Sequence, residues 1–279
     1  MPRDKVIFIV GPTAVGKSAA AYAVAEYCHH PQIVSCDSVQ VYRELDIVSN
    51  KPSTDLLTKI PHHLVNIISV AEQFDVFRFN QLARTAIRTI LAQGGTPLVV
   101  GGSGLYMKIL LDGIFSGEGA DAQLRERLLQ DAQELGRAHL HQRLVGLDPA
   151  AAAKIHPNDL KKVVRALEVY LLDRRPISEK QRECEGIWDL YDVRLIGLNE
   201  DRQILYQRIN RRVEAMIEAG ALEELRRLKG REISSSASGI IGLREIFSYL
   251  DGERSLEQAI ELMKRNTRRF AKRQLTWYR

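Results

Sequence analysis

Short apolar runs separated by longer mixed stretches set the rhythm of the first 112 residues. The runs are Val6 to Val10, Ile33 to Ser35, Leu64 to Ile68 and Leu98 to Val100, with a fifth much later at Val193 to Leu198. That rhythm reads as strands of a largely parallel sheet separated by helices. Between them, Leu82, Ala86 and Ile90 recur at helical spacing and predict a helix over 79–93. Lys51-Pro52 and Ile60-Pro61 break the stretch before the third run into turns.

From Gly113 to about Trp188 the pattern becomes helical. Leu124, Leu128 and Leu135 mark one stripe, and Leu160, Val163, Val164 and Leu167 another. Because this stretch lies between the fourth and fifth strand candidates, it reads as an insertion. The expected division is a discontinuous core of residues 1–115 and 189–279, with a helical domain of residues 116–188. After Glu200 the chain is helical again, with stripes at Ile209, Val213, Met216 and Ile217 and at Leu256, Ile260 and Met263. The fold class expected is α/β: a parallel sheet flanked by helices, with a helical insert.

Composition narrows this little. With 45% hydrophobic and 27% charged residues, the 279-residue chain belongs with ordinary globular proteins and has no low-complexity tract. Its net charge of +5 favours an anionic partner without naming one. The distribution is more telling: Lys264, Arg265, Arg268, Arg269, Lys272, Arg273 and Arg279 fall in the last sixteen residues, with no acidic residue among them. Such a run is either a solvated helix face or a phosphate-contacting surface. Cys28, Cys36 and Cys184 are odd in number and lack metal-site spacing, and no apolar run is long enough to span a membrane. A reducing, cytoplasmic setting and a monomer are the expectations.

The strongest chemical signal follows the first apolar run. Gly11, Pro12, Thr13, Ala14, Val15, Gly16, Lys17 and Ser18 form the phosphate-loop pattern G-x-x-x-x-G-K-[ST], between a strand and an alanine-rich helical segment. Glycines let backbone N–H groups turn inward on a phosphate, Lys17 supplies a full positive charge, and the Ser18 hydroxyl suits a Mg²⁺ bridging phosphate oxygens. The ligand is a polyphosphate: a nucleoside triphosphate or an organic diphosphate. Asp37 and Ser38 follow the second strand, whose end gathers beside the loop in a parallel sheet. Asp37 is then a Mg²⁺-associated carboxylate, a general base or a helix N-cap.

Five strings lie in one order along the chain: Asp37-Ser38-Val39-Gln40-Val41-Tyr42-Arg43, Pro61-His62-His63-Leu64, Gly101-Gly102-Ser103-Gly104-Leu105-Tyr106, Arg165-Ala166-Leu167-Glu168-Val169, and Thr267 through Trp277. In these the sequence closely resembles the bacterial tRNA dimethylallyltransferases. The resemblance implies dimethylallyl diphosphate as donor, held on the phosphate loop with Mg²⁺, and the anticodon stem-loop of tRNA as acceptor. It implies Asp37 as the general base on the adenosine amine. Ser103, where the family usually has Thr, and Arg212 would be diphosphate ligands, with Arg211 beside Arg212 as the competing choice. It further implies tRNA contacts at Asp37, Ser38, Val39, Gln40, Arg125, Lys161, Lys162, Val163, Val164, Arg165, Lys272 and Arg273. Val48-Ser49-Asn50-Lys51-Pro52 and Gly242-Leu243-Arg244-Glu245 depart from the usual family strings. Three rival readings are a small-molecule kinase, an isopentenyltransferase acting on free adenine nucleotides, and a non-catalytic RNA-binding protein. The first loses one usual metal carboxylate, since Leu98-Val99-Val100 runs into Gly101-Gly102.

Overall fold

The computed structural model describes residues 3–115 and 121–278. In chain order its elements begin β1 (Lys5–Val10), α1 (Lys17–Ala25), β2 (Pro31–Cys36), α2 (Thr54–Lys59), β3 (His62–His63), α3 (Val76–Ala92), β4 (Thr96–Gly101) and α4 (Gly104–Asp112). Then come α5 (Ala122–Glu134), α6 (Arg137–Leu147), α7 (Pro149–Ala152), α8 (Leu160–Asp173) and α9 (Ile177–Arg182). The chain closes with β5 (Asp192–Gly197), α10 (Arg202–Glu218), α11 (Ala221–Arg226), α12 (Leu243–Leu250) and α13 (Leu256–Trp277).

Among the described residues one five-stranded sheet forms, all pairs parallel, in the order β3-β2-β4-β1-β5. Val6, Phe8, Val34 and Val99 are buried toward one layer of helices and Ile9, Ile33 and Leu98 toward α1, which explains why the central strands show no alternation. The third apolar run is not a strand. Leu64 and Asn66 have φ of 63° and 59°, left-handed values that no ladder tolerates, so only His62–His63 pairs with β2 and Leu64 to Ile68 is an irregular segment that buries Leu64, Val65 and Ile68. In α3 the buried face is Phe79, Ala83, Ala86, Ile87 and Ile90, while Leu82 faces outward.

By its contacts the chain divides into two compact units: the residues up to Leu111 together with those from Gly186, and Asp112–Glu185. Residues 116–120, where the insert was expected to begin, lie outside the described residues. The Asp112–Glu185 unit packs α5 to α9 around Leu128, Leu140, Leu144, Val163 and Leu167, all nearly inaccessible. Leu135 of its predicted stripe is 59% exposed and stands outside that core. No helix of the described residues is long and apolar enough to cross a membrane.

Candidate active site

Register fixes the site. Gly101 of β4 pairs with Val10 of β1 on one side and with Cys36 of β2 on the other, so three strands end level. The residues that follow, Gly11, Asp37 and Gly102, therefore leave the sheet side by side. After β1 the chain crosses toward β2, whereas after β4 it leads eventually to β5 at the opposite edge, making a crevice at the ends of β1 and β4.

The phosphate loop occupies one side of that crevice. Gly16 has φ of 103°, which a side chain would strain, and its carbonyl accepts from Ala20 N–H at 3.0 Å as α1 begins. Lys17 turns back, its Nζ donating to Pro12 O at 2.8 Å. Burial lowers its pKa to about 8, partly offset by Asp37 and reinforced by Arg212. Asp37 stands opposite. Its Oδ1 accepts from Val39 N–H at 2.8 Å and closes a turn. No helix starts there, so the N-cap reading falls. The irregular stretch after it is pinned rather than loose. Glu224 accepts from the N–H groups of Asp46, Ile47 and Val48 at 2.8, 2.8 and 3.0 Å, and Lys51 donates to Tyr42 O at 2.6 Å.

Two helices complete the enclosure. Ile209, Val213 and Met216 are the buried stripe of α10, and Arg212 falls on that same face at helical spacing, whereas Arg211 is exposed. Arg212 donates from Nη1 to the Thr13 hydroxyl at 3.1 Å, and burial lowers its pKa against the opposing pull of Asp37. On α13, Met263, Thr267, Phe270 and Gln274 recur at four, three and four residues and face the same space. The result is a cavity of about 330 Å³ lined by Thr13, Asp37, Ser38, Val39, Ser103, Arg212 and Arg273 together with Val48, Met216, Ile240, Met263 and Phe270. Its lining combines two cations, a carboxylate and hydroxyls with apolar side chains.

A smaller neighbouring cavity holds Lys17, Ser18, Ser35, Asp37, Gln40 and His62. A hydroxyl and a carboxylate within one small space are hard oxygen donors, and with phosphate oxygens they fit a Mg²⁺. Among the described residues no cluster of three or more His, Cys, Asp or Glu could hold a metal alone. A cation here would share its coordination with a ligand.

A family model for IPP transferase matches residues 40–279. The chain belongs to the IPP transferase family. The match starts beyond both Gly11–Ser18 and Asp37, so it does not depend on the phosphate loop. A tRNA dimethylallyltransferase of Geobacter sulfurreducens is 44% identical over 279 residues, covering 99% of this chain and 89% of its own. One from Exiguobacterium is 47% identical over 281 residues, covering 100% and 88%. Among solved structures, the full-length tRNA isopentenylpyrophosphate transferase of Bacillus halodurans superposes with a TM-score of 0.71 at 40% identity, covering 99% of this chain and 87% of that one. A eukaryotic dimethylallyltransferase acting on tRNA superposes at 0.81 with 30% identity, covering 99% and 70%.

The other sequence-derived positions of this IPP transferase family member divide sharply. Arg125 and Arg165 both bind Glu168: Arg125 Nε lies 2.8 Å from Oε1 and Arg165 Nη1 2.7 Å from Oε2, with Asp121 N–H at 2.9 Å. Burial alone would raise the Glu168 pKa, but these donors together lower it. Both arginines are thus committed to a buried carboxylate. Val163 and Val164 were expected at the RNA, but their side chains are 0% and 5% exposed in the helical core, which removes them as side-chain contacts. Lys161 and Lys162 are exposed, Lys162 pairing with Asp159 at 2.8 Å. In the basic run, Lys264 pairs with Glu214 at 2.7 Å and Arg268 donates to Asn210 at 2.5 Å, joining α13 to α10. Arg265, Arg269, Lys272 and Arg273 are exposed. Gln274 received no role from the sequence, although a lone amide within an apolar helical stripe was the available signal.

Proposed function

We propose that this protein transfers the dimethylallyl group of dimethylallyl diphosphate to the exocyclic N6 amine of the adenosine 3′ to the anticodon in tRNA. One observation carries the reading. A single cavity brings cationic side chains, a carboxylate and apolar side chains together, which are the three features an allylic diphosphate and an amine acceptor require. The diphosphate lies on the phosphate loop and its five-carbon chain lies against Val213, Met216, Ile240 and Met263. Membership of the IPP transferase family and the activities of the relatives support the assignment.

The amine of adenine is a weak nucleophile because its lone pair is delocalised into the ring. Asp37 accepts one of its protons as nitrogen bonds to C1 of the donor, and the C1–O bond breaks with its electron pair leaving on diphosphate. Positive charge developing on the allyl unit is delocalised over its double bond. Negative charge developing on diphosphate meets Lys17, Arg212, the loop N–H groups and the hydroxyls of Thr13 and Ser103. Preorganised donors of this kind are worth about 3 kcal/mol each. Ser18 would hold Mg²⁺, which when bound neutralises diphosphate charge.

The adenosine must leave its stack to reach this depth, at a cost of a few kcal/mol in a loop. Ser38, Val39 and Gln40 flank the extruded base beside Asp37. The exposed Lys272 and Arg273 of α13, and Lys161 and Lys162 of the Asp112–Glu185 unit, contact the RNA backbone. The three cysteines are free thiols, which suits the reducing cytoplasm where tRNA is modified.

The test is transfer of radiolabel from dimethylallyl diphosphate, with Mg²⁺, to unmodified tRNA carrying adenosine beside the anticodon, followed by digestion and identification of the labelled nucleoside. Label on that adenosine is the expected result. Label on free AMP, or phosphate transferred from ATP, would assign the cavity to another reaction.

A further inference from the structure

Gln274 is the one polar side chain of α13 that is both nearly buried, at 6% exposure, and aimed at the crevice between β1 and β4. Its Oε1 accepts from Thr13 N–H at 2.8 Å, and its Nε2 donates to Gly102 O at 2.7 Å. The two partners stand on opposite sides of the crevice: Thr13 in the phosphate loop, and Gly102 immediately before Ser103. Both bonds need the amide in one orientation, because the backbone supplies a donor on one side and an acceptor on the other.

The fit leaves no slack. A Cβ on Gly102 would lie 2.4 Å from Gln274 Nε2, and one on Gly104 would lie 2.4 Å from the Trp277 ring, so α13 is seated on the 102–104 turn at two successive points. Thr13 is then held twice, by Gln274 at its backbone and by Arg212 at its hydroxyl. We propose that Gln274 is a positioning residue, whose amide sets the separation between the phosphate-loop N–H groups and Ser103 and thereby the grip on the donor diphosphate. This rests on the diphosphate reading of the cavity and adds a lining residue that acts through the loop and the turn it holds. Buried, oriented amides of this kind cannot be replaced by a group that lacks either half, since the abandoned donor or acceptor then stays unpaired.

The discriminating variant is Gln274→Glu. Ionised, its carboxylate can still accept from Thr13 N–H but repels Gly102 O; protonated, it reproduces both bonds. The charged groups facing this position are Arg212 from α10, Arg273 on α13 and Asp37 after β2, all lining the same cavity. Wild type, Gln274→Glu and Gln274→Met are compared in the labelled transfer assay from pH 8 to about pH 5.5, each as a ratio to wild type at the same pH. At pH 8 both variants should raise the donor KM about tenfold or more and lower kcat with it, with tRNA affinity nearly unchanged. Toward acid the Gln274→Glu ratio should return toward one, while Gln274→Met stays high at every pH. Gly102→Ala, which pushes the amide aside from the other end, should raise the donor KM without acid recovery, and combined with Gln274→Met should be no worse than either alone. It carries the same readout if a Gln274 variant does not fold. A Gln274→Glu donor KM equal to wild type throughout, or a loss confined to kcat with no acid recovery, overturns the assignment. Failure of the wild type itself to label tRNA would instead overturn the donor reading.

Discussion

Arg212 reaches from the middle of α10 to the hydroxyl of Thr13 at 3.1 Å, joining residues 199 positions apart in sequence. The contact brings a guanidinium against the phosphate loop, near enough to Lys17 to help lower its pKa. Arg212→Ala should raise the donor KM and lower kcat together, by roughly 10²-fold in kcat/KM, as expected when a donor to a developing anion is removed. Arg211→Ala, on the exposed face one position away, should stay close to wild type. Steady-state kinetics with labelled donor separates the two; equal effects would place the ligand wrongly.

The lowered pKa of Lys17, about 8, puts a titration within reach of assay. Above that value the empty site loses its charge, so kcat/KM for the donor should fall as pH rises through about 8. The bound diphosphate restores the proton, so kcat should fall less. The sign for stability is opposite. Between about 8 and the ordinary 10.5 the unfolded chain binds this proton more firmly than the folded one, so the Lys17 contribution favours folding increasingly as pH rises. A pH series of donor kcat/KM checks the first part, and Lys17→Met should abolish the inflection.

For Asp37, the substitution to Asn keeps an oxygen to accept from Val39 N–H and removes the charge and with it the basicity. Turnover should drop about 10²- to 10⁴-fold while tRNA affinity is retained. If Asp37→Asn turned over normally, proton removal would have to be assigned elsewhere.

In the Asp112–Glu185 unit, Glu168 holds two arginines and a backbone N–H. Glu168→Gln removes the buried charge and should destabilise the protein by roughly 2 kcal/mol. This is below the 3–5 expected for a fully buried pair, because Arg125 and Arg165 remain 41% and 36% exposed. Urea unfolding followed by circular dichroism measures it. The phosphate-loop chemistry should be untouched in the folded fraction, so donor KM serves as the internal control.

The strand runs at Val6 to Val10 and Leu98 to Val100, the phosphate loop and the strings around Asp37 and Trp277 were all legible in the sequence, because each is a local pattern whose meaning depends only on neighbours in the chain. Arg211 and Arg212 were left as competing choices, and the structure places Arg212 on the cavity and Arg211 on the exposed face. What local pattern could not give was the partner: Thr13 lies 199 residues from Arg212 and 261 from Gln274, and nothing local links them. Leu64 to Ile68 misled as a strand because apolar burial is common to ladders and to irregular buried segments, and only backbone angles tell them apart. The resemblance implied tRNA contacts at Arg125, Arg165, Val163 and Val164, but both arginines pair with Glu168 and the two valines, already part of an apolar stripe, lie in the helical core. The sequence by itself determined which groups could act on a diphosphate and an amine. Tertiary structure decided which share a cavity, because parallel register and two crossing helices, α10 and α13, impose a proximity that spacing along a chain does not encode.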